Sequence, residues 1–184
     1  SEFDITPYLT EGENEIAVRV YRWSGGSFFE AQDFIRVSGI FRDVSLYSTP
    51  KVHIRDFKIE TELDENNEDA LLKVRTNVAG EDAEGYTVES RLYEYDAKAE
   101  DAQTVGDYVS VEASAEHYKN ADDEEYYAYI KGDYVIQTEQ EVENPKKWSA
   151  EYPNLYKVVL VLRDPEGTIQ ETVSFATGFR DFYI

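Results

Sequence analysis

Carboxylates dominate the residues of this chain that could perform chemistry. Asp and Glu together number 39, whereas histidine occurs twice and cysteine is absent. Carboxylates can act as general acids, as general bases or as ligands of hard cations, but no pair of them is singled out by its spacing. The lack of cysteine excludes a thiol nucleophile, a thiolate metal site and a disulfide. The residue types alone therefore assign no catalytic residue.

Three smaller patterns have simple structural interpretations. His53 points outward in an alternating run, which favours a surface or edge position, and His117 has no partner pattern with Ser or Cys. Asp64 to Glu68 has spacing faintly similar to a calcium loop but lacks its glycine and its distant glutamate, so it predicts a polar hairpin turn. Asp122 to Glu125 is interpreted as a solvated loop.

Composition limits the partners. The chain has 184 residues, a net charge of −21, 41% hydrophobic and 14% aromatic residues. So acidic a surface repels nucleic acid and anionic membranes, and we expect neither as a partner. No apolar run approaches the roughly 18 residues that a membrane span needs. No signal peptide is visible, and methionine is absent even at position 1. The chain therefore looks excised from a longer protein, whose targeting signals this sequence does not reveal.

Alternation of apolar and polar residues predicts β-strands along most of the chain. The first is Asn14–Arg22, where Ile16, Val18 and Val20 share one face. The later predicted strands are 44–47, 52–61, 70–78, 86–95, 108–113, 134–142, 156–163, 169–175 and 178–184. Alternation breaks near Arg55–Asp56, which indicates either a bulge or a crossing of the strand. Short strands without a long helical period predict an all-β sandwich.

A domain boundary is predicted near Ser48–Thr49–Pro50. Residues 1–48 contain too few strands to close a core, since a few strands leave edges open. Residues 49–184 suffice for a sandwich of about seven to nine strands. We therefore assign 1–48 and 49–184 to two domains.

Three blocks of sequence recur in the order found in one known family. The first is EFDITPYL at 2–9 with the run IAVRVYRWSGGSFFEAQDFIRVSGIFRDVSL at 16–46. The second is NPKKWSAEYPNLY at 144–156, and the third is TGFR at 177–180 with the four residues after it. Together they resemble glycoside hydrolase family 2, the family of the large β-galactosidases.

The resemblance implies a fold and a role. Residues 1–48 would be the last strands of a sugar-binding jelly-roll domain, and 49–184 an immunoglobulin-like antiparallel β-sandwich. The sandwich would be a scaffold between the jelly roll and a catalytic barrel that this chain lacks, so the chain alone should be inactive. The parent, a bacterial enzyme of the cytoplasm or periplasm, would hydrolyse terminal β-galactosides with retention of configuration, using two barrel carboxylates.

The resemblance also implies one site residue. Asp33 matches the aspartate of the family's EAQD-like run, which reaches into the barrel to hold a sodium ion and a hydroxyl of the galactosyl unit. It would do so only in the intact parent, which would also use magnesium. The aromatic cluster Trp148, Tyr152, Pro153 and Tyr156 is interpreted as core and corner packing rather than a sugar-stacking surface.

Two alternative functions remain open at this point. One is a stand-alone carbohydrate-binding module, and the other is a structural β-sandwich without a sugar role. In either case the apolar face of Asn14–Arg22 must be shielded from water by another surface. We expect it to pack on the sandwich, to pair with a neighbouring chain in a homo-oligomer, or to remain partly mobile.

Overall fold

The computed structural model describes residues 2–29, 37–80, 82–96, 103–119 and 133–181. The chain divides into two compact units, 1–47 and 48–184. Within the described residues, regular structure consists of strands and short 3-10 helices, so the predicted all-β class is confirmed. No helix in the described part of the chain is long and apolar enough to span a membrane.

The first unit contains two 3-10 helices, Thr6–Tyr8 and Gly25–Phe28, and its described residues form no strand. The predicted strands at Asn14–Arg22 and 44–47 are therefore wrong for this structure. A strand exists only when a neighbour pairs with its backbone, and the described residues of this unit offer no such neighbour. Ile16, Val18 and Val20 are consequently at least half exposed.

The second unit is a sandwich of two antiparallel sheets. One has the order β1-β2-β5 and the other β4-β3-β6-β7. Seven strands divided in this way form an immunoglobulin-like sandwich, as predicted. The strands are β1 (His53–Leu63), β2 (Ala70–Ala79), β3 (Thr87–Glu94), β4 (Val109–Glu112), β5 (Asp133–Val142), β6 (Tyr156–Arg163) and β7 (Ile169–Thr177), with a 3-10 helix at Ala115–His117.

The core lies between the inner faces of the two sheets. Its almost fully buried side chains include Leu72, Val74 and Ile136 from the first sheet. Those of the second sheet include Val88, Leu92, Val158, Leu160 and Leu162. Burying each such aliphatic side chain contributes about 1.5–3 kcal/mol relative to exposure. The period-two alternation in the sequence thus marks the buried face of β2, β5 and β6.

The predicted bulge in β1 is confirmed. The register between β1 and β2 shifts between Ile54 and Asp56. After the shift, alternate residues starting at Phe57 face the second sheet, and Phe57 and Ile59 pack against the core. The bulge therefore determines which apolar residues of this edge strand point inward.

The predicted strand at 178–184 is not present in its described part. Residues 178–181 form only an isolated parallel bridge between Phe179 and Lys147. The chain leaves β6 after Thr177, where the pairing of β7 ends. Beyond that point it pairs with the loop before β6 instead of with a strand.

Candidate functional site

The residue that the sequence singled out for ligand binding, Asp33, lies outside the described residues, as does the acidic run Asp122–Glu125. The assignment of Asp33 to sodium and sugar therefore stays a prediction.

Both histidines have local structural roles. His53 starts edge strand β1, and its Nδ1 lies 3.1 Å from the carbonyl oxygen of Pro50. The Nδ1 of His117 accepts a hydrogen bond from the Ser114 backbone N–H at 3.1 Å and lies 2.9 Å from the Ser114 hydroxyl. This serine–histidine contact caps a single helical turn. The predicted edge position of His53 is confirmed.

The acidic stretch from Asp64 to Asp69 is a hairpin turn between β1 and β2. The Asp64 carboxylate accepts the Glu68 N–H at 2.7 Å, and Asn67 takes the left-handed conformation with φ of 56°. Asp64 and Asp69 also pair through a backbone hydrogen bond of 3.0 Å. The prediction of a polar hairpin turn is confirmed. Within the described ranges, no group of three or more acidic or histidine side chains could hold a metal ion.

The second and third sequence blocks meet in one place, which we call the exit corner: Trp148, Tyr156, Gly178, Phe179 and Arg180. The backbone N–H of Trp148 donates to the Phe179 carbonyl at 2.8 Å. The Phe179 ring is fully buried and meets the Tyr156 ring edge to face, with centroids 5.1 Å apart. The Arg180 guanidinium lies 4.7 Å from the centre of the Trp148 ring.

Three residues of the TGFR block, Gly178, Phe179 and Arg180, have contacts that explain their types. A Cβ on Gly178 would lie 2.9 Å from the Cβ of Trp148, so only glycine fits there without displacing the indole. Arg180 covers the Trp148 ring, which supports corner packing for Trp148. Tyr152, by contrast, is 73% exposed, so the prediction of core or corner packing is wrong for that residue. The corner therefore locks the last described segment onto the sandwich.

Two further hydrogen bonds attach this segment to β1. The Thr61 hydroxyl donates to the Gly178 carbonyl at 3.2 Å. The Leu63 N–H donates to the Asp181 carboxylate at 3.2 Å. The segment after β7 is thus held by one sheet through β6 and by the other through β1. Such double attachment holds residues 178–181 against both sheets of the sandwich.

A second cluster, the Glu89 cluster, lies on β3 and β6 and consists of Glu89, Arg91 and Arg163. Arg163 Nε donates to one carboxylate oxygen of Glu89 at 2.7 Å, and Arg91 Nε to the other at 3.1 Å. The Arg91 guanidinium also lies 4.9 Å from the centre of the Tyr108 ring. Glu89 is 8% exposed, so its charge depends on the two arginines.

The two arginines determine the ionisation of Glu89. Burial by itself raises the pKa of the carboxylate, but the hydrogen bonds from Arg163 and Arg91 outweigh it, and the pKa of Glu89 lies below its ordinary value. The Glu89–x–Arg91 spacing places both side chains on one strand face, which is the signal that sequence reasoning missed. The third residue of the Glu89 cluster, Arg163, is distant in sequence, and no local pattern indicated that it would join the other two.

The two antiparallel sheets define the second unit as an immunoglobulin-like β-sandwich domain. Residues 52–180 match the family model described as glycosyl hydrolases family 2, and residues 1–50 match the one described as glycosyl hydrolases family 2, sugar binding domain. The chain belongs to glycosyl hydrolase family 2, as the sequence blocks indicated.

Among the relatives of this chain are bacterial β-galactosidases. The chain is 44% identical to the β-galactosidase of Priestia megaterium over 100% of its own length and 16% of that protein. It is 40% identical to the β-galactosidase of Leuconostoc mesenteroides over 92% of its length and 15% of that protein. The chain thus spans about one sixth of the length of these relatives.

Solved structures agree on the fold. β-Glucuronidase 3 of Bacteroides uniformis is similar with a TM-score of 0.56 and 21% identity, over 81% of this chain and 15% of that one. The structure of a putative β-galactosidase from Bacteroides fragilis is similar with a TM-score of 0.53 and 20% sequence identity, over 74% of this chain and 19% of that one. At such identities the likeness supports the architecture alone.

Replacing Phe179 should destabilise the sandwich strongly. Phe179→Ala removes a fully buried ring, and we expect a loss of about 3–5 kcal/mol in unfolding free energy, measured by urea denaturation. Phe175→Ala is a matched control, because that ring is 58% exposed and its loss should be much smaller. Equal losses for the two variants would show that the exit corner is not anchored as described.

The Glu89 cluster should make stability depend on pH. The pKa of Glu89 in the folded state is lowered. The stabilisation from the ionised carboxylate is therefore fully present above the unfolded-state pKa of about 4.3, and it is lost as the pH falls through the folded-state pKa. Glu89→Gln should reduce stability at pH 7 by about 1–3 kcal/mol, allowing for the partial exposure of the arginines. The difference from the unmodified protein should shrink below about pH 4.

The control for this experiment is Glu60→Gln, which breaks an exposed pair with Lys58. We expect it to change stability by less than about 1 kcal/mol. A Glu89→Gln penalty that is independent of pH would mean that packing, rather than charge, is responsible.

Proposed function

We propose that this chain is the scaffold portion of an enzyme that hydrolyses terminal β-galactosides. The observation that carries the proposal is the 44% identity to a β-galactosidase over the whole chain. In this role the sandwich connects a sugar-binding jelly roll to a catalytic barrel, and the chain itself supplies none of the carboxylates that cleave the glycosidic bond.

The exit corner supports a scaffold role. Catalytic groups must be held within about half an ångström of their productive positions, which requires rigid supports. Phe179, Arg180 and Asp181 are each attached to a different part of the sandwich, namely Tyr156, Trp148 and Leu63. A domain that continues from this segment would therefore have its first residues placed by three independent contacts.

We further propose that Asp33 contributes to the active site of the parent. Its carboxylate would ligate a sodium ion and accept a hydrogen bond from a galactosyl hydroxyl, because anionic oxygen suits hard cations. No residue of this chain is assigned to the magnesium that the family resemblance implies.

The proposal is tested by hydrolysis of a chromogenic β-galactoside. The 184-residue chain should be inactive, whereas a longer protein that includes the following barrel of about 300 residues should be active. In the longer protein Asp33→Ala should raise KM and weaken the dependence on sodium, while Asp4→Ala, an exposed acid of the same unit, should change neither. Activity in the short chain, or a longer protein without activity on any β-galactoside, would refute the proposal.

We also propose that the apolar face of Ile16, Val18 and Val20 is covered by the remaining strands of the sugar-binding domain in the parent, and by a second copy in the isolated chain. Light scattering should then show dimers or larger species of the 184-residue chain. Replacing the three residues by serine should restore the monomer, and replacing Glu15 and Arg19 by serine should not. A monomeric unmodified chain would contradict the proposal of a homo-oligomer.

A further inference from the structure

The two sheets meet along one side of the sandwich at edge strands β1 and β7, and carboxylates close this seam at both ends. Near the start of β1 the Glu171 carboxylate accepts the Ile54 N–H at 2.6 Å. At the last residue of β1 the Asp181 carboxylate accepts the Leu63 N–H at 3.2 Å. Each carboxylate therefore occupies a backbone donor that faces away from the neighbouring strand of the same sheet.

The open edge of β1 is a row of backbone groups between these two carboxylates. Since alternate residues of a strand direct their N–H to the same side, those of Phe57, Ile59 and Thr61 point to the same side as that of Leu63, away from β2. The register shift near the start of β1 moves this order by one residue, so Ile54 belongs to the same row. Glu171 and Asp181 thus cap the first and the last N–H of the row.

A row of this kind is a template for pairing with another strand. β1 spans 11 residues, about twice the usual length of a strand, so its edge offers an unusually long template. Two copies of one strand can pair antiparallel about a two-fold axis, which satisfies the same backbone groups on both copies. In a solution of the purified chain, β1 of a second copy is therefore the strand that fits this edge.

Carboxylates suit the role of caps on such an edge. An ionised carboxylate accepts a backbone N–H and has no proton to donate, so it occupies the edge without offering a donor to an incoming strand. An approaching copy would also bring its own Glu171 and Asp181 toward a chain whose net charge is −21, and like charges repel. The two caps thus oppose self-pairing through hydrogen bonding and through charge.

We propose that Glu171 and Asp181 guard β1 against pairing with β1 of a second copy. While both caps are in place, a partner strand has access only to the middle of the row. Without them the whole edge from Ile54 to Leu63 is open to antiparallel pairing. The inference is independent of the proposed enzyme activity, and it concerns a different surface from the apolar face of the first unit.

Hydrogen–deuterium exchange on the 184-residue chain tests the proposal. In the double variant Glu171→Ala with Asp181→Ala, the amides of Phe57 and Ile59 should exchange about tenfold more slowly when the protein concentration is raised roughly a hundredfold. In the unmodified chain these amides should not respond to concentration, even where the first unit associates. Each single variant loses only one hydrogen bond and provides the same test, with a smaller slowing, if the double variant does not fold.

The matched control is Glu65→Ala with Glu166→Ala, which removes two exposed turn carboxylates and causes the same change in net charge. It should leave the exchange of Phe57 and Ile59 independent of concentration, and slowing in this control would show that net charge rather than capping protects the edge. Exchange that is independent of concentration in the variants lacking Glu171 or Asp181 would reduce these residues to stabilising the seam. Slowing in the unmodified chain would show that the edge is not guarded. Each of these three results would overturn the proposal.

Discussion

Burial of Phe179 is the interaction on which the functional part of this structure depends. The residue follows β7 directly, and its ring can be buried only if the chain turns back onto Tyr156 and the loop that carries Trp148. This path of the chain requires glycine at position 178, because a Cβ there would collide with the Trp148 side chain. A buried ring contributes several kcal/mol, far more than the exposed ion pairs of the surface. The position of the chain exit is therefore set by packing, and Arg180 and Asp181 refine it.

The seam between β1 and β7 has a related origin. A sandwich whose sheets are not joined by strands at their edges must satisfy those edges by other means. Here carboxylates and a hydroxyl satisfy them near the ends, and Phe57 and Phe175 remain between. Carboxylates are well suited to this position because they accept backbone N–H groups but cannot donate, so they do not promote pairing with an arbitrary strand. The same acidic excess that repels anionic partners thus also protects the edge.

The sequence predicted local features of the sandwich well and non-local ones poorly. The apolar run of β6 has the observed bounds, and the loss of alternation at Arg55–Asp56 correctly located the bulge. By contrast, Asn14–Arg22 has the alternation of a strand but forms none, because pairing depends on residues elsewhere. The predicted strand at 178–184 is wrong for the same reason. Residues 178–181 have an extended pattern, but their partner is the loop at Lys147 and Trp148 and not a strand. Alternation reports which face would be buried and not whether a neighbour is present.

At the exit corner and the Glu89 cluster, local features could likewise be predicted from the sequence, whereas contacts between distant residues could not. Trp148 and Tyr156 were assigned to corner packing from their position beside a turn, but nothing local indicated that Arg180 would cover the indole. Glu89 and Arg91 are two residues apart, whereas Arg163 reaches them only because β3 and β6 are adjacent in register. Two arginines around one buried carboxylate leave a net positive charge on a face of a strongly acidic chain. The two guanidinium groups favour the ionised carboxylate, so they lower the pKa of Glu89 and make its protonation costly.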